Sequence, residues 1–301
     1  MSSRDIIVIG SCMMDLVCYS SRLPKSGETI HGHTFLIGHG GKGANQCVAA
    51  TKLNAKTSLV AKLGDDDFGL KFKSSLENYG VNVDHVKLVS GHSSDNQIVI
   101  VPGANNTLSA EDIDDASELI KHSKVVVFQF ETPVQVTRYG LEKVKKLKGF
   151  TVLNAAPALK EVDSEILQLV DVLCVNESEA EVFTGSKVSS VKESFEAVEK
   201  LLKLGCKTVI ITLGAKGAVF ADQTNSLPIH IDTIKVEKVV DTTGAGDAFI
   251  GALAYFIAYH PSLTMKEMVS RSCRIASHSI SKPGTQSSFP NRADLPDELF
   301  S

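Results

Sequence analysis

The segment Asp241-Thr242-Thr243-Gly244-Ala245-Gly246-Asp247 combines two carboxylates with a run of minimal side chains. The apolar residues before it read as a strand ending at Val240, and a helix is predicted from Asp247 to Tyr259. Two glycines and an alanine leave backbone N–H groups uncovered at a helix N-terminus, where unpaired amides form an anion site. Such amides can stabilise the charge that builds on a transferring phosphoryl group. Asp247, in the first turn, is placed to accept the proton of an attacking hydroxyl. A Gly-rich turn capped by Asp has the same composition, and the last four residues alone do not separate the two readings. Asp241, six residues earlier, and the strand–loop–helix context favour chemistry.

Four further segments carry polar groups at strand ends. Gly38 to Gln46 (GHGGKGANQ) allows close backbone approach to a ligand, with Lys42 and Asn45 as donors to hydroxyls. It matches G-x-G-x-x-G formally, but the next strand ends in Val60-Ala61-Lys62, without the acid a dinucleotide site requires. Gly43 after Lys42 excludes a Walker A loop. Asn176 and Glu179 follow another strand and share a helix face. They suit either capping or a magnesium ion held through water. Thr212, Gly214 and Gly217 form a strand-end turn that could cover nucleotide phosphates. Asp15, after the first strand, is placed to bind hydroxyls. His31 and His33 fall on one face of an alternating stretch, Glu28–Phe35, and are read as a solvated face because no third metal ligand accompanies them.

The elements that must position these groups alternate. Apolar β-branched runs occur at Ile6–Ile9, Thr57–Val60, Gln97–Val101, Lys124–Phe128, Thr151–Leu153, Val172–Val175 and Thr208–Thr212. They are continuous rather than alternating, as in parallel strands buried on both faces. Amphipathic stretches lie between them, at Ala44–Leu53, Gly69–Tyr79, Ala110–His122, Val134–Leu147 and Val191–Leu204. Strand–helix alternation predicts a layered α/β fold. Gly217–Ala221, Pro228–Ile231 and Ile234–Val240 are predicted as a small antiparallel set, with a last helix at Thr264–Ser281. With 43% hydrophobic and 22% charged residues, the 301-residue chain is expected to be globular rather than disordered. A net charge of −4 argues against a nucleic-acid or anionic-membrane partner. The six cysteines contain no C-x-x-C pair and are expected as reduced thiols. The N-terminal MSSRDIIVIG has no long apolar core, so a soluble cytoplasmic protein is expected, with the nucleus as a further compartment.

Taken in order, these segments resemble the ribokinase family of sugar kinases, from Asp5 to Phe300. The most specific parts are Gly40–Gly69, containing GGKGANQCVAA and AKLGDDDFG, and Asp241–Leu253, DTTGAGDAFIGAL. GETIHGHTF, VNESEAEVFTG and PGTQSSFP add to the likeness. The resemblance implies one Rossmann-like α/β domain, a three-layer sandwich over residues 1–301, with a small β-sheet lid from about 12–20, 28–37 and 85–102. It implies ATP-dependent phosphorylation of the 5-hydroxyl of ribose, a kinase for another sugar or a nucleoside and a weakly active binding form being the alternatives. In the family's pattern Asp247 is the base, and Gly244, Ala245 and Gly246 form the anion hole. Asp15, Gly41, Lys42, Asn45 and Glu131 match the sugar contacts, and Asn176, Thr212, Gly214, Gly217 and Gly246 the ATP positions. Glu179 matches a magnesium-water position. Asp241, Thr243, Ser279, Lys282, Gly284 and Ser288 match an activating potassium site, several through carbonyls. A homodimer built through the lid is also implied. Two departures stand out. Roughly a dozen residues, one lid strand, are expected to be missing between Val81-Asn82-Val83-Asp84 and Asn96-Gln97-Ile98. Cys273 replaces an Asn near the adenine, which predicts weaker nucleotide affinity.

Overall fold

The strand Ile6–Ile9 (β1) has no exposed face. Ile6 and Val8 pack into one hydrophobic core, Ile7 and Ile9 into a second on the other side. That two-sided burial is why its sequence is apolar without alternation. A computed structural model describes residues 5–90, 103–159 and 163–301, and only the backbone of Val17 and Tyr19. In chain order the elements are β1, β2 (Met13–Tyr19), β3 (Thr34–Gly40), α1 (Lys42–Lys52), β4 (Thr57–Gly64), α2 (Asp67–Tyr79), β5 (Val86–Val89), α3 (Ala110–Asp115), α4 (Ser117–Lys121), β6 (Val125–Phe128), α5 (Val134–Lys146), β7 (Thr151–Asn154), β8 (Val172–Asn176), α6 (Glu177–Thr184), α7 (Val191–Lys203), β9 (Thr208–Thr212), β10 (Ala218–Asp222), β11 (Ile229–Ile231), α8 (Ala245–Tyr259) and α9 (Met265–Ser279).

Nine strands form one sheet in the order β11-β10-β9-β8-β7-β6-β1-β4-β5. The pairs from β9 through β5 are parallel, while β10 runs antiparallel to both β9 and β11. One sheet face packs on α1, α8 and α9, the other on α3, α5 and α7. This is the expected three-layer α/β sandwich. The chain winds outward in opposite directions from β1 and β6, so a crevice opens above their C-terminal ends, where α/β folds bind ligands.

A separate two-stranded sheet, β2 against β3, stands off the main one. The strand expected from Glu28 begins only at Thr34, because pairing runs from Met13↔Gly40 to Tyr19↔Thr34 and leaves residues 28–33 without a partner strand. His31 and His33 therefore sit in exposed irregular chain. The third expected lid segment, 85–102, is in part a main-sheet edge, since β5 pairs in parallel with β4. The rest of it, including Gln97–Val101 and the shortened stretch, lies outside the described residues. The helix expected over 110–122 is interrupted at Ala116, and Ser117 Oγ donates to the Asp114 carbonyl beside the break (2.5 Å). Ile234–Val240 is not a strand. Its end is held by the last turn of α9, with Val240 N–H and Asp241 N–H both donating to the Ile280 carbonyl (2.8 and 3.3 Å). Among the described residues no helix is long and apolar enough to cross a membrane. All six cysteines are free thiols, five buried and Cys18 exposed.

Candidate active site

Glu131, Asn176 and Thr212 lie at or just past the C-terminal ends of the parallel strands β6, β8 and β9. Glu131, just past β6, accepts the Ser11 hydroxyl (2.6 Å) from past β1. The same oxygen, Oε2, accepts the Lys42 backbone N–H at the start of α1 (2.7 Å), and Ser11 Oγ accepts the Gly43 N–H (3.3 Å). One carboxylate thus ties the β1 end, the β6 end and the α1 N-terminus together across the crevice. Asn105 braces the β1 side, donating to the Cys12 carbonyl and accepting its N–H (2.8 and 2.9 Å). Asp15 lies on β2, opposite Gly38. Its carboxylate occupies the space a side chain at position 40 would fill: a Cβ there would stand 2.4 Å from Asp15 Oδ2. The lid therefore presents an acid over the crevice only because residue 40 is glycine.

Asp247 is buried in the first turn of α8. Both of its oxygens accept carboxamide protons from the facing helix α1: Asn45 Nδ2 donates to Oδ2 and Gln46 Nε2 to Oδ1, each at 2.9 Å. Burial pushes the Asp247 carboxyl above its ordinary value. The Lys42 charge and the hydrogen bonds from Gln46 and Asn45 oppose this, and the negative charge of Glu131 adds to it. Asp15 and Glu179 are raised as well, first by burial and in part by the charge of Asp247. A general base must be ionised to act, so kcat/KM should fall as pH drops through the raised Asp247 pKa. The acid limb is expected clearly above 3.8, the ordinary aspartate value. A pH–rate profile checks this, and a flat profile down to that value would remove Asp247 from the role.

Two cavities open at the N-terminus of α8, and the smaller one is bounded in part by Asp247. The larger, about 650 Å³, is lined by Thr212, Gly214 and Gly217 on one wall and by Ala245, Gly246 and Cys273 on another. Cys273 is buried, which pushes its thiol up to about 12. It is an uncharged weak hydrogen-bonder at neutral pH. The smaller cavity, about 120 Å³, is bounded by Lys42, Asn176, Glu179, Gly244 and Asp247. The two meet at Thr212 and Gly246. Asn176 and Glu179 form a reciprocal capping box on α6: Asn176 Oδ1 accepts the Glu179 N–H, and Glu179 Oε2 accepts the Asn176 N–H (both 2.9 Å). Capping and exposure to the cavity coexist in the same pair. Ahead of α8, the Ala245 N–H donates to the Thr242 carbonyl (3.2 Å), while no partner takes the Gly244 or Gly246 N–H among the described residues.

Asp241 bridges two turns, accepting the Thr243 N–H at Oδ1 (2.9 Å) and the Gly284 N–H at Oδ2 (3.0 Å). Ser279 and Ser288 are buried nearby in chain, their hydroxyls donating to the carbonyls of Ala276 and Thr285 (both 2.8 Å). The Lys282 N–H donates to the Ser279 carbonyl (3.4 Å). The expected cation ledge therefore joins the α8 entry to the loop after α9.

Sequence reasoning assigned no role to Ser11, Asn105, Gln129, Asn154 or Gln286, and quoted Gln46 only as part of a motif. Gln129 Nε2 donates to Gln46 Oε1 (2.7 Å), Gln286 Nε2 donates to Asn45 Oδ1 (3.0 Å), and Gln46 Nε2 also reaches Asn154 Oδ1 (3.0 Å). A signal existed for two of them: Gln129 and Asn154 are carboxamides at the ends of apolar strands, where an unpaired polar group is costly. The partners of the whole set lie up to 241 positions away, and sequence alone offers no register for pairs at that separation.

The whole arrangement has relatives. The pfkB family carbohydrate kinase pattern matches residues 3–292. The chain is 44% identical to the ribokinase of Mus musculus, covering 98% of this chain and 94% of the mouse protein. It is 39% identical to the deoxyribokinase of Salmonella typhi, over 95% and 96% of the two chains. The structure of Arabidopsis thaliana ribokinase complexed with ribose and ATP superposes with a TM-score of 0.89 at 31% identity, over 99% of both chains.

Proposed function

Because the chain belongs to the pfkB family of carbohydrate kinases, we propose that it transfers the γ-phosphoryl group of ATP to the 5-hydroxyl of D-ribose. The observation that carries this reading is the place of Asp247. It borders the small cavity at the α8 N-terminus and accepts a hydrogen bond from Asn45, which with Asp15 and Glu131 would take the sugar hydroxyls. In the reaction the ribose oxygen bonds to the γ-phosphorus while its proton passes to Asp247. The bond from phosphorus to the β-γ bridging oxygen breaks, and ADP leaves with that electron pair. The Gly244 and Gly246 amides face the charge developing on the phosphoryl oxygens.

Magnesium fits this donor set as a hard ion carried largely by phosphate and water, with Glu179 as its protein anchor through water and Asn176 beside it. No cluster of three or more His, Cys, Asp or Glu side chains able to hold a metal by themselves occurs among the described residues. The ion would neutralise charge on the transferred group. The Asp241 ledge, with the 279–288 loop supplying Ser279, Lys282, Gly284 and Ser288, suits a monovalent cation bound mainly by carbonyls. It would order the α8 entry without touching ATP.

The test is ADP release coupled to acceptor, with ribose and 2-deoxyribose compared, in potassium and in a large organic cation. Ribose-dependent turnover, faster in potassium, is expected. Turnover with 2-deoxyribose at equal or higher kcat/KM would shift the acceptor assignment to the activity named for the Salmonella relative. Absence of turnover with either sugar would sink it.

A further inference from the structure

Asp247 as an ionised carboxylate can only accept hydrogen bonds, and that polarity propagates outward. Asn45 and Gln46 must turn their NH2 groups toward it. Their carbonyl oxygens then point away and need donors of their own. Two buried glutamines supply them: Gln286 Nε2 reaches Asn45 Oδ1, and Gln129 Nε2 reaches Gln46 Oε1. Reversing either outer amide would leave a carbonyl facing a carbonyl, or force the inner amide to present oxygen to the carboxylate. The direction of every bond is therefore dictated by the charge at the centre.

The Gln286 arm has a further property. It belongs to the loop that begins at the Asp241 ledge, where Gly284 N–H is held. The same loop is gripped from below by α1, since Lys52 Nζ donates to the carbonyls of Gln286 and Phe289 (2.8 and 3.0 Å). Asn45 and Lys52 are seven residues apart and so lie on one face of α1. The loop is thus clamped along that face, with the Gln286 side chain at the catalytic end. Its own Oε1 is buried with no partner among the described residues. A side chain serving packing alone would be methionine or leucine, which leave no buried carbonyl unpaired. What the amide contributes is its N–H.

We propose that Gln286 is a positioning residue: it fixes the Asn45 carboxamide and, through it, the orientation of Asp247 toward the acceptor hydroxyl. This rests on the reading of Asp247 as the base. Without the Gln286 donor, the buried Asn45 Oδ1 has no partner, and its pull toward another donor works against the hydrogen bond that Asn45 makes to the carboxylate.

The test is Gln286→Met in the full chain, with Asp247→Asn as reference. In Q286M, kcat/KM for ribose should fall by about 10- to 100-fold, the size of one hydrogen bond to an ionised group. The KM for ATP should hold. The acid limb of the pH profile should move to higher pH, because the Asn45 hydrogen bond lowers the Asp247 pKa. A merely structural role would leave that limb in place and weaken both substrates alike. Unchanged kcat/KM and an unmoved limb in Q286M, with D247N inactive, overturn the proposal alone. An active D247N overturns the reading beneath it. Should Q286M not fold, Gln286→Asn decides. Its carboxamide is one methylene shorter and falls short of Asn45 Oδ1, so Q286N should show the same fall in kcat/KM and the same move of the acid limb. A Q286N with the parent's kcat/KM and limb overturns the proposal.

Discussion

Asp247→Asn is expected to lower kcat by about 10²- to 10⁴-fold, the usual share of a positioned general base. Ribose affinity should change little. The amide has the volume of the carboxylate but cannot take a proton at neutral pH. It also brings an NH2 group to a place where Asn45 and Gln46 already point donors (each at 2.9 Å), so one of the surrounding amides must turn. That rearrangement should cost about 1–3 kcal/mol of stability, the penalty for a buried group losing its partner. The loss of turnover is much larger than such a rearrangement would produce by loosening the site. Coupled ADP detection and titration calorimetry with ribose separate the two effects. A variant that keeps most of its turnover would show that the hydroxyl proton goes elsewhere.

Gly251→Val should damage both fold and site. Gly251 faces α1 at the point where α1 and α8 cross. A Cβ there would lie 2.5 Å from Ala49 Cβ, 2.8 Å from the Gln46 carbonyl oxygen and 2.9 Å from the Ala50 nitrogen. Two of those three atoms are backbone, so relief requires moving α1 as a body. A non-glycine residue gains at most about 1 kcal/mol of helix propensity. Overpacking a dense contact costs about 1–3 kcal/mol, and clashes with backbone fall at the upper end. The clash therefore wins. Because Asn45 and Gln46 ride on α1, the same displacement withdraws both donors from Asp247. Urea denaturation should show a lower midpoint, and kcat/KM should fall at temperatures where the variant is folded. An unchanged midpoint with full activity would mean that the crossing tolerates separation.

The core strands were legible because their faces are both buried. β1, β6 and the first four residues of β8 are uninterrupted apolar runs, and such a pattern needs no knowledge of partners. Helix positions followed from their amphipathic spacing, although the sequence did not reveal the interruption at Ala116. Glu28–Phe35 misled because alternation is a property of one strand, whereas a strand forms only where another pairs with it. β2 offers partners no further than Thr34. Ile234–Val240 misled for the same reason, its last amide being taken by the Ile280 carbonyl instead of a neighbouring strand.

The chemistry shows the same division. Sequence alone determined the residue types of the site: a carboxylate after small residues at a helix start, an Asn–Glu pair spaced for one turn, glycines where backbone must be bare. These are local, since each depends on residues within a few positions. Tertiary structure decided what Asp247 is. Only the crossing of α1 and α8 at Gly251 brings Asn45 and Gln46 to its two oxygens, and only the return of the 282–289 loop adds Gln286 behind them. Burial raises its pKa and those amides restrain it, and both effects come from groups up to 202 positions distant in the chain. A hydrogen bond acts over about 3 Å of space regardless of sequence separation, so the state of the Asp247 carboxyl is a property of the packed fold.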